Sequence, residues 1–98
     1  MSGLKFIWDE AKNTLNKRKH GVSFEEGETV FADENALFMH DPDHSETEDR
    51  FLLLGISTIA RLLVVCHCHK DESNIIRIIS VWKATKSETS QYVRRRRS

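Results

Sequence analysis

The chain has 98 residues with fifteen basic and fifteen acidic side chains, which suits one domain over residues 1–98 and leaves little apolar surface for a second core. Its longest apolar runs, residues 51–54 and 62–65, are far shorter than the ~20 residues that cross a bilayer, and no signal-peptide pattern opens the chain. We therefore expect a cytoplasmic protein without a membrane partner.

The zero net charge hides a strong segregation of charge. Residues 1–20 contain five basic and two acidic side chains. Residues 21–49 contain ten acidic side chains and no Lys or Arg, and residues 50–98 contain ten basic and three acidic side chains. Basic segments of this kind can form a cationic surface even when the total charge is zero. Neutrality therefore does not exclude binding to a nucleic acid.

The first two elements are predicted from aromatic residues and from helix caps. Residues 4–8 read Leu-Lys-Phe-Ile-Trp and favour a strand. Asp9 is a good N-cap and Gly21 a good residue for the position after a helix, so a helix is predicted from about 10 to 20. The basic residues 17–19 suit the negative end of its dipole.

The acidic middle of the chain predicts a short helix, a strand and a loop. Ser23 and Glu26 have the spacing of a capping box, which predicts a second helix to Ala32. A turn at residues 33–35 precedes a short strand over residues 36–40, and the polar residues 41–45, with the only proline, predict a loop.

The remaining sequence predicts three strands and a helix. Residues 50–56, 61–69 and 75–82 are apolar runs separated by short polar or glycine-containing links, which favours an antiparallel meander. Residues 85–88 have a second capping-box pattern that opens a helix into the arginines 94–97. The order β-α-α-β-β-β-β-α predicts a compact α+β domain, in which two N-terminal helices and one C-terminal helix cover one face of an antiparallel sheet of four to five strands.

Two arginines interrupt apolar strands. Strand alternation places Arg61 with Leu63 and Val65, and Arg77 with Ile79 and Val81. If these strands pair, the two guanidiniums lie side by side and bind a phosphate between them, since each can donate two bonds to it. The alternative is a structural ion pair with a carboxylate such as Asp49 or Glu72.

Other candidate residues lie near the helix ends. His20 follows Lys19 at the end of the first helix and is either a helix-capping residue or a proton-transfer group beside cations that bind phosphate. Tyr92 either stacks on a base or anchors the last helix. The run that begins at Arg94 is either a solvated tail or a phosphate contact that adds affinity without specificity.

The segment Cys66-His67-Cys68-His69, with His40, Asp41, Asp43 and His44 upstream, raises the question of a metal site. Alternation sends the two cysteines to one side of a strand and the two histidines to the other, so one ion cannot collect all four, and the spacing matches no usual zinc pattern. We expect no metal or other cofactor, reduced buried cysteines and exposed histidines.

The combined motifs resemble the BrnT toxin family over nearly the whole chain. In the first half they are Phe6-Ile7-Trp8-Asp9, Lys12, Asn13, Asn16, Lys19-His20-Gly21-Val22-Ser23-Phe24 and Val30-Phe31-Ala32-Asp33. In the second half they are Arg50, Gly55, Arg61-Leu62-Leu63-Val64-Val65, Ile76-Arg77-Ile78-Ile79-Ser80, Lys83-Ala84-Thr85-Lys86 and Glu88.

This resemblance implies a RelE-like fold and a metal-independent ribonuclease that cuts mRNA, free or on the ribosome, and so inhibits translation. It also implies a BrnA-like antitoxin partner, through which alone the complex would contact DNA. By position, the resemblance implies that His20 transfers a proton, with Lys19, Arg61 and Arg77 around the phosphate and Lys83 near them. Glu28 is one carboxylate that would suit a general base.

One position departs from the family pattern. Family members commonly have Ala-Arg after the Ile-Ser pair, whereas this chain has Val81-Trp82. Either Trp82 stacks on an RNA base in place of the missing cation, or the chain is a weak or inactive toxin that serves as a binding module in a complex that represses its own operon. A metal-binding protein that uses residues 66–69 is the third hypothesis.

Overall fold

The computed structural model describes residues 3–41, 49–70 and 74–97. Its elements are β1 (Lys5–Ile7), α1 (Glu10–His20), α2 (Phe24–Thr29), a 3-10 helix (Val30–Ala32), β2 (Leu37–His40), β3 (Phe51–Ile56), β4 (Leu62–Lys70), β5 (Ile75–Lys83) and α3 (Lys86–Arg97). The predicted order β-α-α-β-β-β-β-α is confirmed. Residues 42–45 of the predicted loop lie outside the described residues.

The predicted caps of α1 are confirmed. The Asp9 carboxylate accepts hydrogen bonds from the N–H groups of Ala11 and Lys12, at 2.8 and 3.4 Å. At the other end Gly21 has a φ of 71°, and its N–H donates to the Lys17 carbonyl at 2.9 Å. Because a residue with a β-carbon rarely adopts this left-handed conformation, Gly21 ends α1 one residue after His20.

The two predicted capping boxes have different outcomes. In α3, Thr85 accepts from the Glu88 N–H while the Glu88 carboxylate accepts from the Thr85 N–H, so this box is complete. In α2, the Ser23 hydroxyl accepts from the Glu26 N–H at 3.0 Å, but the Glu26 carboxylate bonds to Arg61 and Ser57 instead. The second half of that box is therefore replaced by a tertiary contact.

The sheet has five strands in the order β1-β5-β4-β3-β2. Strands β2 to β5 form the predicted antiparallel meander, but β1 runs parallel to β5, with Lys5 opposite Ile75 and Ile7 opposite Arg77. The expectation of a fully antiparallel sheet was therefore wrong for β1. Short links impose antiparallel pairing on neighbouring strands, whereas β1 reaches β5 through long-range packing, which no turn constrains.

Helices cover both faces of the sheet rather than one, so that prediction was wrong. On one face, Val22, Phe24 and Val30 pack against Leu53, Leu63, Val65, Ile78 and Val81, which together form the α2-side core. On the other face, Tyr92 of α3 packs against Leu54 and Val64, which form the α3-side cluster. Since neighbouring residues of β3 and β4 are both apolar, each face has to be covered.

Gly27 explains how closely α2 approaches the sheet. A β-carbon at this position would lie 2.7 Å from the Val81 Cγ2 atom, closer than two carbons can pack. The glycine that weakens α2 as a helix thus permits its contact with β5. Within residues 3–41, 49–70 and 74–97, no helix is long and apolar enough to span a membrane.

Candidate functional site

Basic side chains from both ends of the sequence meet around Gly21. Lys19 and His20 form the last residues of α1, and Lys83 is the last residue of β5. The Lys83 Nζ atom would lie only 3.7 Å from a β-carbon at position 21. The structure therefore brings Lys83 beside the residue that follows Lys19 and His20, because the αL turn at Gly21 has no side chain to hold Lys83 away.

A buried asparagine fixes α1 beside β5. Strand β1 pairs only with residues 75–77 of β5, so the outer edge of β5 beyond them lacks a strand. The Asn16 side chain, which is 7% exposed, provides the hydrogen bonds that a neighbouring strand would otherwise form. Its Nδ2 donates to the Val81 carbonyl at 2.8 Å, and its Oδ1 accepts from the Val81 N–H at 3.1 Å. Its Nδ2 also donates to the Val22 carbonyl at 2.9 Å.

The position of Asn16 places Lys19 and His20, one turn further along α1, against the middle of β5. They border a shallow cavity of about 280 Å³ whose other lining residues are Lys12, Leu15, Asn16, Ile79 and Ser80. Two lysines, a histidine and a serine hydroxyl around one hollow are groups that bind and protonate a phosphodiester. We call this hollow the α1–β5 cavity. Lys83 lies beside Gly21 and is not among its lining residues.

Arg61 is held by a carboxylate. Its Nε donates to Glu26 Oε2 at 3.0 Å, one Nη donates to Glu26 Oε1, and the same Nη donates to the Gly21 carbonyl at 3.2 Å. The Ser57 hydroxyl also donates to Glu26 Oε2, at 2.7 Å. Arg61 thus forms a structural ion pair, as the alternative interpretation of the sequence expected, but its partner is Glu26 and not Asp49. The other expected partner, Glu72, lies outside the described residues.

The ion pair makes part of the stability pH-dependent. Hydrogen bonds from Arg61 lower the pKa of Glu26 below its ordinary value of 4.5, although burial opposes this shift. Because the folded pKa is the lower one, the stabilisation is complete above about pH 4.5 and is lost as the pH falls through the folded value.

We expect Glu26→Gln to lower the free energy of unfolding at pH 7, and the difference from wild type to shrink progressively below pH 4.5. Urea unfolding followed by circular dichroism across this range measures it. Glu34→Gln, at an exposed position, is the matched control and should change little at any pH. A difference for Glu26→Gln that stays constant with pH would contradict the assignment of the ion pair.

Arg61 and Arg77 do not lie side by side. A register shift at Cys66–His67 lets Ile78 and Val81 both enter the α2-side core, and Arg77, next to Ile78, therefore projects from the opposite face. Arg77 lies opposite Cys68, seven residues along β4 from Arg61, which is roughly 23 Å of strand. The predicted phosphate clamp between the two guanidiniums was wrong for two reasons. Antiparallel pairing puts the start of β4, next to Arg61, opposite the end of β5, whereas Arg77 is near the start of β5, and the bulge turns Arg77 to the other face.

Three further predicted residues belong to the α3 side of the sheet. The Trp82 side chain packs, partly buried, against the α3-side cluster. Tyr92 is 4% exposed and its hydroxyl donates to Asp33 Oδ2 at 2.6 Å, so its contacts are those of an anchor for α3. Arg94 is exposed on α3. None of these residues lines the α1–β5 cavity.

The Cys-His segment of β4 is largely as expected from alternation. Cys66 and Cys68 are buried free thiols, and burial raises the pKa of Cys66 to about 12. His69 is exposed, but His67 is fully buried beside the Phe31 ring, and burial lowers its pKa to about 4. The expectation of an exposed His67 was wrong because the α2-side core continues past α2 along β4.

Within the described residues, no group of three or more His, Cys, Asp or Glu side chains is close enough to hold a metal ion. Asp43 and His44 lie outside the described residues. Arg61 links Glu26 to the Gly21 carbonyl, whereas Glu28 lines a separate groove with Leu4, Phe6 and Phe31.

The sequence analysis missed the roles of Asn16 and Glu26. Asn16 carries one signal, since an asparagine is a poor residue for the interior of a helix and usually needs a hydrogen-bonding reason to be there. The sequence signal at Glu26 is misleading, because its capping-box spacing from Ser23 suggests a purely local role for the carboxylate. Neither position reveals its tertiary partner by spacing, since Val81 and Arg61 are distant in the chain.

Comparisons with known proteins identify the family and agree with the fold. A profile of the family described as "Ribonuclease toxin, BrnT, of type II toxin-antitoxin system" matches residues 8–88. A crystal structure of the Brucella abortus ribonuclease toxin BrnT is similar to this chain, with a TM-score of 0.63 and 25% sequence identity over 85% of this chain and 99% of that one. No curated protein matches the sequence significantly.

Proposed function

Because this chain belongs to the BrnT family of ribonuclease toxins of type II toxin-antitoxin systems, we propose that it cuts mRNA at the α1–β5 cavity without a metal ion. The observation that carries the proposal is that Lys19 and His20 line one hollow with Ser80 while Lys83 lies beside Gly21, the residue after His20. An imidazole beside Lys19, with Lys83 next to the following residue Gly21, provides the kinds of group that phosphodiester cleavage needs.

The proposed reaction is an internal transfer within the RNA. The 2′-oxygen attacks the neighbouring phosphorus, the bond from phosphorus to the 5′-oxygen breaks, and a 2′,3′-cyclic phosphate and a free 5′-hydroxyl result. Protonated His20 donates a proton to the leaving 5′-oxygen, and the 2′-hydroxyl proton passes to water. Lys19 and Lys83 stabilise the charge that builds on the phosphoryl oxygens.

Arg61 enters this proposal as a positioning residue. Its charge is paired with Glu26, and its remaining bond holds the Gly21 carbonyl. Arg61 therefore stabilises the turn at Gly21, which directly follows His20 and lies beside Lys83. Arg77 lies on the other face of the sheet and has no part in the proposed chemistry.

The alternative function is that of an inactive homologue which only binds the antitoxin and represses its own operon. The reason for considering this alternative is that Trp82 stands where the family commonly has an arginine. The Trp82 ring packs on the α3 side of the sheet, whereas Lys83 lies beside Gly21. The substitution therefore removes no cation from the α1–β5 cavity, which favours an active toxin.

In the cell, the proposed activity inhibits translation and arrests growth in the cytoplasm, where mRNA is translated. A BrnA-like antitoxin would neutralise it and would connect the complex to DNA.

The test incubates the purified chain, freed of antitoxin and with a chelator present, with a long mRNA. We expect cleavage that leaves 2′,3′-cyclic phosphate or 3′-phosphate ends. A parallel reaction contains translating ribosomes, since cleavage confined to that reaction would locate the substrate on the ribosome. If the folded protein leaves the RNA intact in both reactions, the nuclease proposal fails and the binding-module alternative replaces it.

A further inference from the structure

The α3 face of the sheet is covered only in part. Leu54, Val64 and Tyr92 are buried there, but the apolar side chains around them remain partly exposed: Leu37, Met39, Leu52, Ile56, Leu62, Trp82 and Ala84. Among its described residues, α3 contributes one buried side chain, Tyr92, to this face. A single helix about 10 Å wide cannot cover five strands spaced about 4.8 Å apart, so apolar surface stays open beside it.

The exposed side of α3 next to this surface is cationic. Val93 is 43% exposed, and it borders a groove of about 440 Å³ together with Ile56, Arg96 and Arg97. Within residues 3–41, 49–70 and 74–97, Arg96 and Arg97 form no salt bridge. The groove thus combines an aliphatic floor with two guanidiniums, of which Arg96 interacts electrostatically with the Asp33 carboxylate without forming a salt bridge.

An acidic residue beside the groove, Asp33, already has hydrogen-bond partners. Asp33 lines the adjoining hollow with Arg96, but its Oδ2 accepts from the Tyr92 hydroxyl and the Ile56 N–H, at 2.6 and 2.9 Å. Its Oδ1 accepts from the Asn35 N–H at 2.9 Å. These bonds hold the Asp33 carboxylate in place, and its charge also attracts Arg96. An incoming acidic group would therefore share Arg96 with Asp33 and would also meet Arg97.

We propose that this surface, the α3 groove formed by Ile56, Val93, Arg96 and Arg97, binds an acidic amphipathic helix of the antitoxin. The proposal rests on the proposed function only in assuming a cognate antitoxin. Aliphatic residues of the bound helix pack on Ile56 and Val93, while its carboxylates pair with the two guanidiniums, which suit bidentate bonds. The apolar area excludes water from these pairs and strengthens them.

RNA fits this groove less well. Stacking on an aromatic ring is a main source of binding to single-stranded RNA, but the Tyr92 ring is buried and its hydroxyl is bonded to Asp33. Tyr92 also lines the groove, but because its ring is buried, the exposed floor is aliphatic and offers a base little surface for stacking. The groove also lies on the opposite face from the α2-side core and apart from the α1–β5 cavity.

Titration calorimetry with a purified BrnA-like antitoxin tests the proposal. We expect Val93→Asp and Arg96→Glu each to weaken antitoxin binding by about tenfold or more, because one removes the apolar contact and the other repels the carboxylates. Lys86→Glu reverses a charge in the first turn of the same helix and is the matched control, which should bind as wild type does. Circular dichroism confirms that each variant folds.

The same variants are titrated with a fluorescent single-stranded RNA and assayed for mRNA cleavage. Unchanged antitoxin binding in both Val93→Asp and Arg96→Glu would overturn the proposal, as would a loss confined to RNA binding, which would assign the groove to RNA. Failure of the wild type to cut RNA would sink the nuclease proposal alone, since antitoxin binding is measured independently of cleavage.

Discussion

His20→Ala is expected to slow mRNA cleavage by the purified chain by about 100- to 10,000-fold, the range that a positioned proton donor contributes. The imidazole borders the α1–β5 cavity with Lys19 and Ser80, and alanine cannot protonate the leaving oxygen. Initial rates at saturating mRNA measure the effect. Because His20 is only partly buried and ends a helix, the variant should unfold at nearly the same urea concentration as wild type.

The matched control is Arg18→Ala. Arg18 is an exposed residue in the last turn of α1, but it does not line the cavity. It should therefore lose at most a modest, salt-dependent part of the RNA affinity and keep its cleavage rate. If His20→Ala retains the wild-type rate, or if Arg18→Ala loses as much as His20→Ala, proton transfer by His20 is not the source of the activity.

Asn16→Leu is expected to lower the free energy of unfolding by about 2–6 kcal/mol, which is a large part of the stability of a small domain. Leucine has a similar size but cannot bond, so the N–H and carbonyl of Val81 both lose their partner at the edge of β5. Each buried backbone group without a partner costs about 1–3 kcal/mol. Chemical unfolding at pH 7 measures the loss.

Asn16→Leu should also reduce cleavage under conditions in which the variant is still folded. The reason is that Asn16 holds the C-terminal half of α1 against β5, and this half carries Lys19 and His20. Thr14→Leu, which introduces the same side chain at an exposed position of α1, should preserve both stability and rate. A stable Asn16→Leu variant would show that apolar packing rather than the asparagine bonds joins α1 to the sheet.

Local signals in the sequence were sufficient for the order of the elements. Asp9 and Gly21 mark the ends of α1 because capping requires only neighbours in the chain. The apolar runs of β3, β4 and β5 and their short links predict hairpins for the same reason. The combination of motifs, spread along the chain, also identified the family that the comparison confirms.

Contacts between distant segments were not predictable in the same way. The parallel pairing of β1 depends on packing between residues about seventy positions apart. The bulge in β5 turns Arg77 away from the face that strict alternation assigned to it. Glu26 bonds with Arg61 instead of completing a capping box, because a charge-assisted bond in a partly buried ion pair is stronger than a local bond that water can replace.

The sequence by itself thus determined which segments are helices and strands, where α1 begins and ends, and which family the chain resembles, since these follow from interactions between near neighbours. Only the tertiary structure decided that Lys19, His20 and Lys83 meet around Gly21 while Arg61 is paired and Arg77 lies apart. The physical reason is that the sheet register and the Asn16 bonds to Val81 determine these positions, and both join residues that no local pattern connects.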